Sequence, residues 1–260
     1  MEALFPLLQD TLARMWWPFC RAMALLSAAP ILGEMSVPVT VRVLLSLVLA
    51  VVMLPMSVPP EGLSLMSLQA IGVTVEQAVI GGVIGLAFHL VMSAVLVLGF
   101  IVSSQMGLSM AVMNDPLNGT SSDVVSSLLS ILVILTFFSM DGHLVLVGVL
   151  AASFHAWPVG GGLDMLSLQT LAFNVAWVFS AAVLLAVPVV FATMAVQIGF
   201  GFLARVAPGL NVFALGFSVI TIFGLFMLAQ VLSFIPDHYV RMMNQVLEML
   251  ARMMRAAGHG

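Results

Sequence analysis

Long apolar runs, each broken by a short cluster of Pro, Gly or charged positions, predict a chain of helices along these 260 residues. Residues 1–32 read as a first helix, with Trp16 and Trp17 as interface aromatics bracketed by Arg14 and Arg21, and Ala29-Pro30 and Gly33 closing it. Val41 to Leu54 reads as a second apolar helix that Pro55 ends, and Met56 to Ser67 is a loop. Leu68 to Met113 is then too long for one ordinary span. Its 38-residue part from Gln77 to Asn114, without Asp, Glu, Lys or Arg, would reach roughly 57 Å as a helix against about 30 Å of hydrocarbon. The run is either one very long helix or two with a bend. Gly81 with Gly85, and Ala78 with Gly82, are small-xxx-small pairs that let a neighbouring helix come close.

Val124 to Met140 and Leu144 to Trp157 are short, and Asp141-Gly142-His143 separates them, a pattern of helices that turn back at a polar bend. Leu166 to Ala204 is uncharged, and Pro188 in its middle is expected to kink or divide it. Arg205 to Asn211 is a turn, and Val212 to Ile235 is the last apolar helix, rich in phenylalanine. In the tail, Arg241, Gln245, Glu248, Arg252 and Arg255 draw one polar stripe, as on an interfacial or partner-binding helix, with Glu248 and Arg252 set for an i, i+4 pair.

One stretch stands apart, Gln105 to Asp123. Met106, Met110 and Met113 would share one helix face, Asp115-Pro116 would end that helix, and Asn118-Gly119 supplies a turn. The Asn118-Gly119-Thr120 sequon reads as part of that turn. Thr120 and Asp123 resemble a capping box for the next helix. A methionine-faced helix end thus runs into a small polar loop between two hydrophobic segments.

Composition narrows the class. With 62% hydrophobic and 7% charged residues, the chain cannot coat a globule in water, which calls for about 25% charged. It reads as an all-α integral membrane protein of long, bent and hairpin helices, about six apolar segments in all. There is no lysine, and the scattered arginines give no basic patch, so nucleic acid is excluded as a partner. Cys20 stands alone, and the acidic N-terminal residues Glu2 and Asp10 do not suit a signal peptide. No catalytic or metal-binding motif is present, His143 and His155 are too far apart for one helical face, and His89 reads as a packing residue. No enzyme activity, cofactor or metal is therefore expected. The methionine count is high, 20 residues, and flexible thioethers suit surfaces that seal around changing shapes. The tail arginines favour a cytoplasmic C-terminus.

Four blocks in order resemble the FliR family of flagellar type III export-gate proteins: SAAPILGEMSVPVTVRV at 27–43, QMGLSMAVMNDP at 105–116, DGHLVLVG at 141–148 and RVAPGLNVFALGF at 205–217. The family commonly has proline after the last Gly-Phe, where this chain has Ser218. The resemblance implies hairpin helices in a hetero-oligomeric helical assembly above the ordinary bilayer plane, with residues 1–165 FliP-like and 166–260 FliQ-like. It implies FliP-like and FliQ-like gate subunits, FlhB-like and FlhA-like export proteins, unfolded flagellar substrates and membrane lipid as partners, at the bacterial inner membrane in the flagellar basal body.

The resemblance also assigns a pore or plug role to Met106, Met110, Met113, Asn114, Asp115, Pro116, Leu117, Asn118 and Gly119. Subunit contacts are expected at Arg42, Gly81, Gly85, Arg205, Phe213 and Phe217, with loop carbonyls as the other partners open to the two arginines. Virulence injectisome export shares the family. A small-solute transporter is a rival from another class, but it calls for paired intramembrane charges, and Asp141 has no evident partner. A purely structural scaffold is a third reading, and it would tolerate polar substitutions in the central loop.

Overall fold

The computed structural model describes residues 4–34, 37–60, 67–108, 113–115, 120–162, 165–207 and 212–257. Among them the chain forms α1 (Leu4–Ala28), α2 (Val39–Met53), α3 (Leu68–Gln105), α4 (Val124–Ser139), α5 (Gly142–Ala156), α6 (Met165–Val206), α7 (Val212–Leu232) and α8 (Ile235–Ala257). Two three-residue strands, β1 (Met113–Asp115) and β2 (Thr120–Ser122), lie between α3 and α4. The fold is all-α, and among the described residues four helical segments are long and apolar enough to cross a membrane, Val39–Met56, Leu68–Gln105, Ala176–Val206 and Leu215–Leu232, or five if the bent pair Val124–Ser139 and Gly142–Ala156 is one span. The chain is a membrane protein.

The long runs resolve as unbroken helices. α3 is one helix of 38 residues, roughly 57 Å, so the single-helix alternative holds. α6 runs 42 residues through Pro188 without dividing. Proline is tolerated there because neighbouring groups in a membrane helix can take up the freed carbonyl. The short pair is as expected. α4 and α5 hold 16 and 15 residues, and they part at Asp141, whose φ of 55° is in the left-handed region that an Asp tolerates.

Two compact units emerge. One comprises Met1–Leu90, Asp141–Asn174 and Met243–Gly260, and the other Val91–Met140 and Val175–Met242. In the first, Trp17, Arg21, Ala22, Leu25 and Leu26 are buried along one face of α1 at helical spacing, and Ala29 is buried just past its end. α2 packs on α1 and buries Ser46, Leu49, Ala50 and Met53, while Val41, Leu44, Val48, Val51 and Val52 stay exposed. In the second, Leu98 and Val102, with Leu129, Val133 and Phe137, form buried faces of α3 and α4, and Met106 is buried just past the end of α3.

α8 corrects one expectation. Its polar stripe is exposed from Arg241 to Arg255, as read, but the opposite face is inside the protein: Tyr239, Met242, Met243, Val246, Met249, Leu250 and Met253 are all buried. The apolar face of α8 is therefore not free for a membrane surface or a partner. The Arg252 Nε reaches the main-chain oxygen of Glu248 at 3.4 Å rather than its carboxylate.

Candidate functional site

The stretch between α3 and α4 is a loop on a fixed stem, all within the second unit. α3 ends earlier than the methionine spacing suggests. Its last residue is Gln105, and Gly107 turns the chain at φ 74°, where a side chain would be strained. Met106 is fully buried, and its thioether fills the space over Gly224, whose missing Cβ would fall 2.4 Å from the Met106 Cγ. The Met106 carbonyl accepts from Thr221 Oγ1 at 3.1 Å, and the Gln105 carbonyl accepts from Gln197 Nε2 at 3.4 Å. The Phe217 ring closes over Gly107. Side chains of α6 and α7 thus hold the end of α3.

The helical face of Met106, Met110 and Met113 is a correction. Met106 is in the turn after α3 and Met113 is in β1, so neither belongs to α3. Met110 lies outside the described residues. Asp115-Pro116 does not end the helix either, because α3 ends ten residues before Asp115, at Gln105. β1 pairs antiparallel with β2, Met113 with Ser122, Asn114 with Ser121 and Asp115 with Thr120. Pro116, Leu117, Asn118 and Gly119 link the strands and lie outside the described residues.

The return side of the stem is equally fixed. Asp123, not Thr120, is the N-cap of α4: its carboxylate accepts from the Ser126 backbone N–H at 3.1 Å and from the Ser126 hydroxyl at 2.8 Å. Ser103 Oγ on α3 donates to the other Asp123 oxygen. Gly99 lets the Ser126 backbone in, since a Cβ there would stand 2.7 Å from the Ser126 Cα. α3 and α4 are joined at the base of the loop by a charge-assisted cap and a glycine contact. A groove of about 500 Å³ beside it is lined by Leu96, Phe100, Asp123, Ser126, Ser127, Ser130 and Ile131.

The first unit holds a polar cluster that the sequence did not announce. Arg21 is 0% exposed. Its Nε donates to Gln77 Oε1 at 2.8 Å, Nη1 to Ser153 Oγ at 3.0 Å and Nη2 to the Trp157 carbonyl at 2.7 Å, while the guanidinium lies 4.1 Å from the Phe154 ring centre. Gln77 Nε2 donates to Glu76, and the Glu76 carboxylate accepts from the N–H groups of Gly160 and Gly162 at 3.1 and 3.3 Å. Burial pulls the Arg21 pKa down to about 9 and Glu76 opposes the drop, so the group remains charged at pH 7. Trp17 is likewise a correction. It is 2% exposed and belongs to the core, whereas Trp16 is exposed and donates to Thr74 Oγ1.

The residues expected at subunit contacts divide. Gly81 and Gly85 face α1 of the same chain: a Cβ would stand 2.1 Å from the Arg21 carbonyl oxygen at Gly81 and 2.4 Å from that of Leu25 at Gly85. They serve an internal contact and not a neighbouring subunit. Arg42 Nη2 is held by the Val37 carbonyl at 3.0 Å and that of Glu34, the loop-carbonyl solution. Phe217 and Arg205 are exposed, and Phe213 is in the first turn of α7. Among the described residues no three His, Cys, Asp or Glu side chains are placed to hold a metal ion.

The family model of bacterial export proteins, family 1, matches residues 12–246. The flagellar biosynthetic protein FliR of Pectobacterium carotovorum is 31% identical over 92% of each chain. The chain belongs to the FliR family of bacterial export proteins. FliR of Escherichia coli K12 is 30% identical over 91% of this chain and 90% of its own. Relatives extend beyond flagella: the Yop proteins translocation protein T of Yersinia pestis is 29% identical over 55% of this chain and 56% of its own.

Proposed function

We propose that this chain is a non-enzymatic subunit of the flagellar protein-export gate in the bacterial inner membrane, with the hairpin between α3 and α4 narrowing the passage for unfolded flagellar subunits. The observation that carries the reading is the hairpin on its stem, clamped on one side through Met106 and capped on the other through Asp123. A gate needs a small element on a base that does not move, and the held end of α3 and the capped start of α4 support such a base. Polar backbone between apolar helices is tolerated where it is buried in protein or lines a water-filled passage. Asn114 to Ser122 then faces the lumen, and Met106 works as a fixed packing anchor instead of a sliding one.

Around it stand FliP-like and FliQ-like subunits, with FlhB-like and FlhA-like proteins engaging the assembly. Residues 1–165 take the FliP-like place and 166–260 the FliQ-like place, with a cytoplasmic C-terminus. Phe213 and Phe217 meet neighbouring subunits. The flagellar reading is preferred to injectisome export because the flagellar relatives align over nine-tenths of the chain and the Yersinia pestis protein over about half.

The hairpin suggests its own test. Asp115 and Thr120 are paired, so replacing Pro116-Leu117-Asn118-Gly119 by Gly-Gly closes the ladder with a two-residue turn and leaves the stem untouched. The assembled complex carrying this short loop is expected to leak ions across the membrane. An assembled complex with ordinary conductance removes the gate role from the loop.

A further inference from the structure

A helix leaves its last carbonyls without donors of its own, and buried ones need partners from elsewhere. At the end of α3 the Ser104 carbonyl is taken locally, by the Gly107 N–H at 3.2 Å. The next two are taken from outside the segment. Gln197 of α6 donates to the Gln105 carbonyl and Thr221 of α7 to that of Met106, at 3.4 and 3.1 Å. All four residues belong to the second unit. On α7 the contact is built as one face. Phe217, Thr221 and Gly224 stand at i, i+4 and i+7, and all three meet Met106 or Gly107: the Phe217 ring closes over Gly107, Thr221 bonds to Met106, and Gly224 makes room for the Met106 thioether. Off this face Val219, Ile222, Leu225 and Phe226 are exposed.

The two sides of the stem are held unequally. On the α4 side the Asp123 carboxylate accepts from Ser103, from the Ser126 N–H and from the Ser126 hydroxyl, and charge-assisted bonds are roughly twice as strong as neutral ones. On the α3 side both bonds are neutral. The Thr221 hydroxyl has a single proton, and the Phe217 carbonyl of its own helix lies 2.9 Å away, closer than that of Met106. The α3 side is therefore the weaker half of the base. The direction in which the chain leaves α3 at Gly107 depends on where α6 and α7 place these two donors.

We infer that Thr221 and Gln197 are positioning residues of the gate: through the Met106 and Gln105 carbonyls they set the closed position of the hairpin, so that the α6–α7 pair governs closure. This rests on the gate role proposed for the hairpin.

The test measures ion conductance per assembled complex, with the amount of complex quantified for each variant. Thr221→Val keeps the shape of the side chain and removes the hydroxyl. It is expected to raise conductance about fivefold over wild type, the equivalent of about 1 kcal/mol for one neutral hydrogen bond. Gln197→Met, which removes the amide, raises it as well. Thr221→Ser loses a methyl but keeps the donor and returns conductance to near the wild-type value, which a role in packing alone would not give. Gly224→Ala leaves both donors in place and displaces Met106, since the added Cβ falls 2.4 Å from the Met106 Cγ, and it too leaks. Thr193→Val is the control. Its hydroxyl bonds to the Val189 and Val190 carbonyls of α6 itself, so the same substitution there leaves conductance unchanged.

The complex with the shortened loop is measured beside these variants. A leaking short-loop complex together with wild-type conductance in assembled Thr221→Val, or with equal leaks in Thr221→Val and Thr221→Ser, overturns the positioning role and leaves the gate role standing. If Thr221→Val does not assemble, Gln197→Met and Gly224→Ala decide by the same criterion. Ordinary conductance in the short-loop complex removes both roles.

Discussion

Gly81→Ala is expected to lower the stability of the folded chain by about 3 kcal/mol, the upper end of what overpacking costs. The added methyl would lie 2.1 Å from the Arg21 carbonyl oxygen and 3.0 Å from the Leu25 nitrogen, both backbone atoms of α1. No rotamer change relieves a clash with backbone, so α1 must move off α3. Movement there is costly twice over, because α1 also carries Arg21 into its three hydrogen bonds. Gly82→Ala is the matched control. Nothing lies within 4 Å of its Cβ position, and alanine in a helix interior is favoured over glycine by up to about 1 kcal/mol. Thermal unfolding midpoints of the two variants in one detergent check the pair. Equal midpoints contradict the close α1–α3 contact.

Arg21→Leu is expected to cost about 3–5 kcal/mol, as when one partner of a buried polar network is removed. Gln77 Oε1 and the Trp157 carbonyl lose their donor, and Glu76 loses the nearby positive charge. A loss of 3 kcal/mol changes the folded-to-unfolded ratio more than a hundredfold, enough to deplete the protein from the membrane. Arg21→Lys restores only part, since one ammonium cannot span acceptors on α3 and α5 in the fixed fork of a guanidinium. Membrane abundance and unfolding midpoint read both variants. An Arg21→Leu protein of wild-type abundance and midpoint would show that the cluster contributes little. Gly81 and Arg21 share α1, so their effects are expected to fall short of additive in the double variant.

Both predictions rest on one contact, that of α1 with α3, where close packing and hydrogen bonds act together. Gly81 and Gly85 provide the first and Arg21 the second, on the same pair of helices.

The long helices were plain in the hydrophobic pattern, because a run such as that from Leu68 onward contains no proline before Pro116. The end of α3 was misplaced for a related reason. Three methionines at helical spacing invite extension to Pro116, and a single glycine gives weak notice of a stop, although Gly107 supplies it through a positive φ. Gly81 and Gly85 announced a close approach without naming the partner, since small residues fit another chain as well as α1. Arg21 went unread because its position beside Trp16 and Trp17 imitates a membrane interface. Its acceptors Gln77 and Ser153 lie 56 and 132 residues away in sequence, and no local pattern joins them. Asp123 was legible as a capping residue, but the role was assigned three positions too early, to Thr120, because the strand pair ahead of α4 leaves no periodic trace.

The measurement that bears most directly on the export-gate account is the secretion of flagellin and hook protein by a strain lacking only this gene, with cell contents as the control. The account predicts that both proteins accumulate inside, that neither appears outside, and that restoring the gene restores their export. Normal amounts of flagellin and hook protein in the medium of the strain without the gene would contradict it.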